Sequence, residues 1–224
     1  MQNRVLGEAH PDTLKSRNNL ALVYQNQGRY DDAERLYLET LEIKERVLGK
    51  DHPHTANTMG NLALMYVNRN RYEEAEPLYL EALGIQRHAL GEAHPATLLM
   101  MMNVAELYAR QGEFGKALPL QEQALAAARR VWADGGWFTG AFLGDYGVTL
   151  LGLERFEDAE AALLEAHEIL ATTRGPEFER TINAAESLVE LYDAWGKPEK
   201  AAEWRAKLPT EQEAVASDQP ADNQ

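Results

Sequence analysis

The hexapeptide Leu6-Gly7-Glu8-Ala9-His10-Pro11 returns as Leu48-Gly49-Lys50-Asp51-His52-Pro53 and again as Leu90-Gly91-Glu92-Ala93-His94-Pro95, each time after 42 residues. A fixed period of this size marks a repeat architecture, in which one supersecondary unit buries its apolar face only against its neighbours. Between the joints the copies stay in register. Asn19-Leu20-Ala21-Leu22-Val23-Tyr24 matches Asn61-Leu62-Ala63-Leu64-Met65-Tyr66 and Asn103-Val104-Ala105-Glu106-Leu107-Tyr108. Gly28-Arg29-Tyr30-Asp31-Asp32-Ala33 matches Asn70-Arg71-Tyr72-Glu73-Glu74-Ala75 and Gly112-Glu113-Phe114-Gly115-Lys116-Ala117. Fainter copies at Glu154–Ala159 and Gly196–Ala201 keep the step, giving five repeats.

Each copy reads as two helices. Leu20, Ala21 and Tyr24 form the expected core stripe of the first, and Tyr30, Ala33, Leu36, Tyr37 and Leu41 that of the second. Gly28 and Gly112 suit a left-handed residue at the break between them. Pro11, Pro53 and Pro95, followed by Thr13, Thr55 and Thr97, punctuate the helix starts. Ala21 and Ala33 are small enough to let the paired helices approach closely.

Leu20, Ala21, Tyr24, Gly28, Tyr30, Ala33 and Tyr37 fill, in order, the pattern Leu-small-x-x-Tyr, then Gly-x-Tyr-x-x-Ala-x-x-x-aromatic. The chain thus resembles the tetratricopeptide repeat family. Its 42-residue period and Leu-Gly-x-x-His-Pro joint are similar to the longer-helix subclass found in kinesin light chains and many bacterial proteins. The resemblance implies an all-α fold: a right-handed superhelical solenoid of five helix-turn-helix repeats, about ten antiparallel helices. One such solenoid is expected over 1–208, with repeats near 12–53, 54–95, 96–136, 137–176 and 177–208. Residues 209–224 are polar, acidic and aperiodic, so a disordered tail is expected there.

The closing stretch Leu191–Arg205 is similar to the last repeat of bacterial proteins that carry an N-terminal serine/threonine kinase domain. No kinase motif occurs here: the sequence has no glycine-rich phosphate loop, no His-Arg-Asp and no Asp-Phe-Gly. That kinship implies the repeat portion of a larger enzyme, and residues 1–11 read as the end of a preceding repeat.

Composition narrows the function. Asp and Glu number 36 against 22 Lys and Arg, a net charge of −14, which disfavours nucleic-acid and anionic-membrane partners. The absence of cysteine excludes disulfides, thiol catalysis and cysteine-ligated metals. No segment is apolar enough for a signal peptide or a membrane span, so a soluble cytoplasmic protein is expected.

Catalytic and metal-binding constellations are missing from the pattern. His10, His52 and His94 recur at the period, but stacked repeats set them in a row on the order of 10 Å apart, whereas zinc gathers its nitrogens about 2 Å from one ion. They read as joint residues, and His52-Pro53-His54 as an incidental metal site at best. Ser16, Ser187 and Ser217 lack a nucleophile context. A non-enzyme without cofactor or metal is expected.

The working surface is then the concave channel lined by the first helices. Residues beside the core stripe face it: Lys15, Asn18, Asn19, Leu22 and Asn26, then Asn57, Gly60, Asn61, Leu64 and Asn68, then Leu99, Met102, Asn103, Glu106 and Arg110. Asn19, Asn61 and Asn103 form a ladder whose amides both donate and accept, which suits a peptide backbone. In peptide-binding members of the family an Asn at this position grips the ligand, and the resemblance implies the same here. The alternative has each Asn satisfying carbonyls of the adjacent repeat. The ladder stops at Asp145 and Ser187.

Lys15 and Asn19 also echo half of the family's carboxylate clamp, but Leu99 and Asn103 stand where its further cations belong. Leu98-Leu99-Met100-Met101-Met102 predicts an apolar floor near Met102, with cations at Lys15, Arg17, Arg69 and Arg110 around it. Trp132, Trp137 and Phe138 break the joint pattern. They offer either an exposed ligand-binding or homo-oligomerisation patch, or the filling of a non-standard gap, and the second is favoured because large aromatics mostly bury. The leading expectation is a protein–protein interaction module that binds a peptide or protein segment in its groove. The alternatives are a regulatory portion of a bacterial kinase and a homo-oligomeric scaffold.

Overall fold

The computed structural model describes residues 7–132 and 136–209. The expected tail from 210 onward, and residues 1–6 of the preceding-repeat reading, lie outside them. Among the described residues the secondary structure is ten helices and no strand. They are α1 (Pro11–Asn26), α2 (Tyr30–Leu48), α3 (Pro53–Asn68), α4 (Tyr72–Leu90) and α5 (Pro95–Arg110), followed by α6 (Phe114–Val131), α7 (Trp137–Gly152), α8 (Phe156–Arg174), α9 (Glu179–Ala194) and α10 (Pro198–Arg205). No described helix is long and apolar enough to cross a membrane.

The repeated joint explains the helix starts. His10, His52 and His94 are N-caps, each accepting a hydrogen bond through Nδ1 from the backbone N–H two residues on, at 3.2, 3.1 and 3.1 Å. Proline follows at the first helical position, where its missing N–H costs nothing. The break before each second helix is left-handed. Gly28 and Gly112 have φ near +74° and +75°, while Asn70 and Glu154 hold φ of 58° and 57° at the equivalent places.

The chain forms two compact units, Met1–Glu113 and Phe114–Gln224. In the first, α1 to α5 pack as successive antiparallel neighbours, and α1 also touches α3, as α3 touches α5. Ala21, Ala33, Ala63, Ala75 and Ala105 are wholly buried where helices cross. Leu62 and Met65 of α3 are buried at 1% and 0% exposure, whereas their counterparts Leu20 and Val23 on α1 stand 43% and 47% exposed. The expected core role of Leu20 is therefore corrected: that position packs against a preceding repeat, and no described helix lies before α1.

A cross-repeat hydrogen bond recurs that the sequence pattern alone does not announce. Tyr66 donates to Glu34 at 2.8 Å and Tyr108 to Glu76 at 3.0 Å in the first unit. In the second unit Tyr192 donates to Glu160 at 2.7 Å. Each tyrosine reaches 32 residues back, to the second helix of the previous repeat. At the one skipped step both positions are apolar, Leu118 and Leu150, so neither a donor nor an acceptor is left over.

In the second unit α7 packs on α8 with glycines at the contact, where no side chain of α7 stands between the helices. A Cβ at Gly147 would lie 2.6 Å from Leu163 Cγ, and one at Gly140 would lie 2.9 Å from Leu170 Cγ. The irregular joint is filled by aromatic rings. Trp132 stacks on Phe138 at 5.0 Å and meets Phe142 edge-on at 5.9 Å, while Trp137 stacks on Phe138 at 4.0 Å. Trp137 also meets Phe178, and Arg174 lies over both rings at 5.0 and 4.9 Å. Trp132, Trp137 and Phe138 are half-buried in one another's company, as gap-filling requires.

Candidate functional site

A cavity of about 890 Å³ opens in the first unit along the first helices of three repeats. Lys15, Asn18 and Asn19 of α1 line it, with Asn57, Gly60 and Asn61 of α3, and Leu99, Met100 and Asn103 of α5. Residues four apart lie one turn apart on the same face, so Lys15/Asn19, Asn57/Asn61 and Leu99/Asn103 form three parallel pairs of rungs. The last turns of the second helices close the rear, with Lys44 and Val47 from α2 and Gln86 from α4.

Asn19, Asn61 and Asn103 make no side-chain hydrogen bond among the described residues, so their amides are open to a ligand. Their immediate neighbours are committed. Asn18 donates to Thr58 Oγ1 at 3.1 Å, and Asn57 accepts from Gln86 Nε2 at 2.8 Å. The contrast separates structural asparagines from unoccupied ones, and the reading in which the ladder satisfies neighbouring carbonyls is not what the structure shows.

Several expected groove residues lie elsewhere. Met102 is 4% exposed and belongs to the core. The floor is Leu99 and Met100 instead, because the helix phase turns Met100 toward α3, where Gly60 leaves room for it; a Cβ there would sit 2.6 Å from Met100 Cε. Asn26, Asn68 and Arg110 fall in the last turns of their helices, about 16 Å along the axis from Lys15, Asn57 and Leu99, and the cavity does not reach them. Leu22, Leu64 and Glu106 are likewise outside the lining. Three of the four expected cations are paired: Arg17 with Glu39, Arg69 with Asp31 at 3.6 Å, and Arg110 with Glu106 at 2.7 Å. Lys15 has no carboxylate partner among the described residues and stays in the lining.

Lys44 and Gln86 were not expected here, since a residue near the end of a second helix reads as packing. Lys44 is 6% exposed, and burial pushes its ammonium down to about 8. Burial also lowers the His54 imidazole, with nearby His52 and Lys44 adding to the effect. Asp12 is the one carboxylate in the lining. Among the described residues no group of three or more His, Asp or Glu could hold a metal ion.

The tetratricopeptide repeat family model matches residues 12–88 and 68–130, together more than half the chain. The chain is a tetratricopeptide repeat protein. Solved structures share the fold of this tetratricopeptide repeat protein across most of its length. A kinesin-light-chain-type protein from Podosopora anserina with nearly identical TPR-like repeats is 24% identical, with a TM-score of 0.76 over 88% of this chain and 93% of that one. BtubC (BKLC) from P. vanneervenii is 21% identical, with a TM-score of 0.77 over 95% of this chain and 84% of that one. A Rap protein in complex with competence and sporulation factor is 19% identical, with a TM-score of 0.70 over 92% of this chain and 59% of that one. No curated protein matches the sequence.

Proposed function

We propose that this tetratricopeptide repeat protein is a non-catalytic interaction module whose groove takes an extended segment of a partner protein. The observation that carries the reading is the ladder of Asn19, Asn61 and Asn103, three unoccupied amides on one cavity wall at a constant repeat spacing. A peptide in extended form presents N–H and C=O groups along its length, and each rung can accept one and donate to the other. The Rap protein of similar fold is in complex with competence and sporulation factor, which lends the reading support by likeness of fold.

Asn61→Ala combined with Asn103→Ala tests it, using an amidated, fluorescently labelled pool of degenerate decapeptides. Loss of two hydrogen bonds worth about 1 kcal/mol each should weaken binding by roughly tenfold or more, with the thermal midpoint nearly unchanged. Unchanged affinity in a folded double variant would sink the Asn-rung account. The resemblance drawn from the sequence at Leu191–Arg205 implies a second reading, regulation of a serine/threonine kinase domain. Genomic context tests it: a kinase domain in the same frame or next to the gene supports regulation, and its absence from both removes the reading.

A further inference from the structure

Lys44 is a buried cation without a counter-charge. It sits near the end of α2, and its Nζ donates to the His54 carbonyl oxygen at 3.0 Å and to Thr58 Oγ1 at 2.8 Å. An ammonium has three protons, so one remains uncommitted. No carboxylate pairs with Lys44 among the described residues. Removing an ammonium from water with only neutral acceptors to compensate is costly.

Packing does not demand a lysine there, because the same place in the next three repeats holds Gln86, Ala128 and Leu170. Yet Lys44 lines the cavity, where the other lysine is Lys15 from α1, the imidazoles are His52 and His54 at the start of α3, and the lone acid is Asp12. A second buried side chain in the same lining is also incomplete. Gln86 is 1% exposed and its Oε1 has no hydrogen-bond partner, while its Nε2 is held by Asn57.

We infer that the groove contains an anchor for a carboxylate side chain of the bound segment, with Lys44 Nζ as its cation. The inference rests on the groove reading above and adds a chemical class to it. Thr58, which holds Lys44, also holds Asn18 beside the first rung, so the anchor lies between the first and second rungs of the ladder. A chain running along Asn19, Asn61 and Asn103 passes the anchor mid-segment, which selects an internal Asp or Glu rather than a terminal carboxylate.

The test uses the full chain and amidated decapeptide pools, degenerate except for a fixed central Glu in one and Gln in the other. Wild type should prefer the Glu pool about tenfold, the scale of a charge-assisted hydrogen bond, and Lys44→Met should erase the preference while still binding the Gln pool. Equal binding of both pools to wild type, or a Glu preference that survives Lys44→Met, overturns the anchor and leaves the groove reading standing. If neither pool binds wild type, both fall. A free-acid Gln pool that outbinds its amidated form assigns the site to a terminal carboxylate and overturns the side-chain assignment.

A measurement on wild type needs no folded variant. The Lys44 ¹³Cε resonance should move saturably with the Glu pool, and its titration should shift to higher pH in the complex. A Lys44 resonance indifferent to the Glu pool contradicts the anchor.

Discussion

Tyr66 shows how a single side chain ties one repeat to the next. Its hydroxyl and Arg71 both hydrogen-bond Glu34 across the repeat boundary. Burial works against the Glu34 carboxylate, but the donors from Arg71 and Tyr66 outweigh it and hold its pKa below the ordinary carboxylate value. A group depressed in the folded state contributes stability above its unfolded pKa, and that contribution is lost as pH falls through the folded value. Tyr66→Phe should therefore cost about 1–2 kcal/mol near neutral pH, and the cost should shrink on acidification through the carboxylate range. Tyr24→Phe should be nearly neutral, because Tyr24 has no such glutamate and makes its notable contact through Arg29, 4.0 Å above its ring. Paired urea melts at neutral and acidic pH check this; equal losses for the two variants would contradict it.

At the scale of the helix, α7 departs most from its equivalents and makes the clearest case of packing overruling propensity. Gly147 stands where Ala21, Ala63 and Ala105 stand in the earlier repeats, and glycine inside a helix costs up to about 1 kcal/mol relative to alanine. The sequence shows that cost without its return, which is the close seat of Leu163 against the α7 backbone. Gly147→Ala should lower stability by about 1–3 kcal/mol despite its better propensity, because Leu163 and the α8 backbone behind it must give way. A thermal midpoint raised by Gly147→Ala would show that α8 yields freely. The helix ends, by contrast, are legible in the sequence, because His-Pro and the left-handed break carry local chemistry. The groove face is legible only where polarity fixes the helix phase: Asn61 and Asn103 line the cavity, whereas the run Leu98–Met102 carries no polar mark, and it is Met100 rather than Met102 that reaches the lining. Lys44 and Gln86 escape notice for another reason, since they come from second helices whose role in the cavity depends on tertiary packing.

For the molecule as a whole, the charge of −14 describes its surface and not its candidate site. Acids such as Asp31, Glu73, Glu74, Glu157 and Asp158 are exposed at the starts of second helices, while the cavity lining holds Lys15 and Lys44 against Asp12. An acidic protein thus offers an anionic segment a locally basic slot, and distant surface repulsion is screened within about 8 Å at physiological salt. The five-fold period makes the all-α repeat fold readable from sequence, while the occupant of the groove depends on which amides the fold leaves unpaired. The most direct measurement of that is nuclear magnetic resonance of the asparagine side-chain NH₂ groups during titration with the amidated decapeptide pool carrying central Glu. The three pairs of Asn19, Asn61 and Asn103 should shift together and saturate at one peptide concentration. If those resonances stay fixed while backbone amides on the exposed faces of α2 and α4 respond, the segment binds elsewhere and the groove is not the working surface.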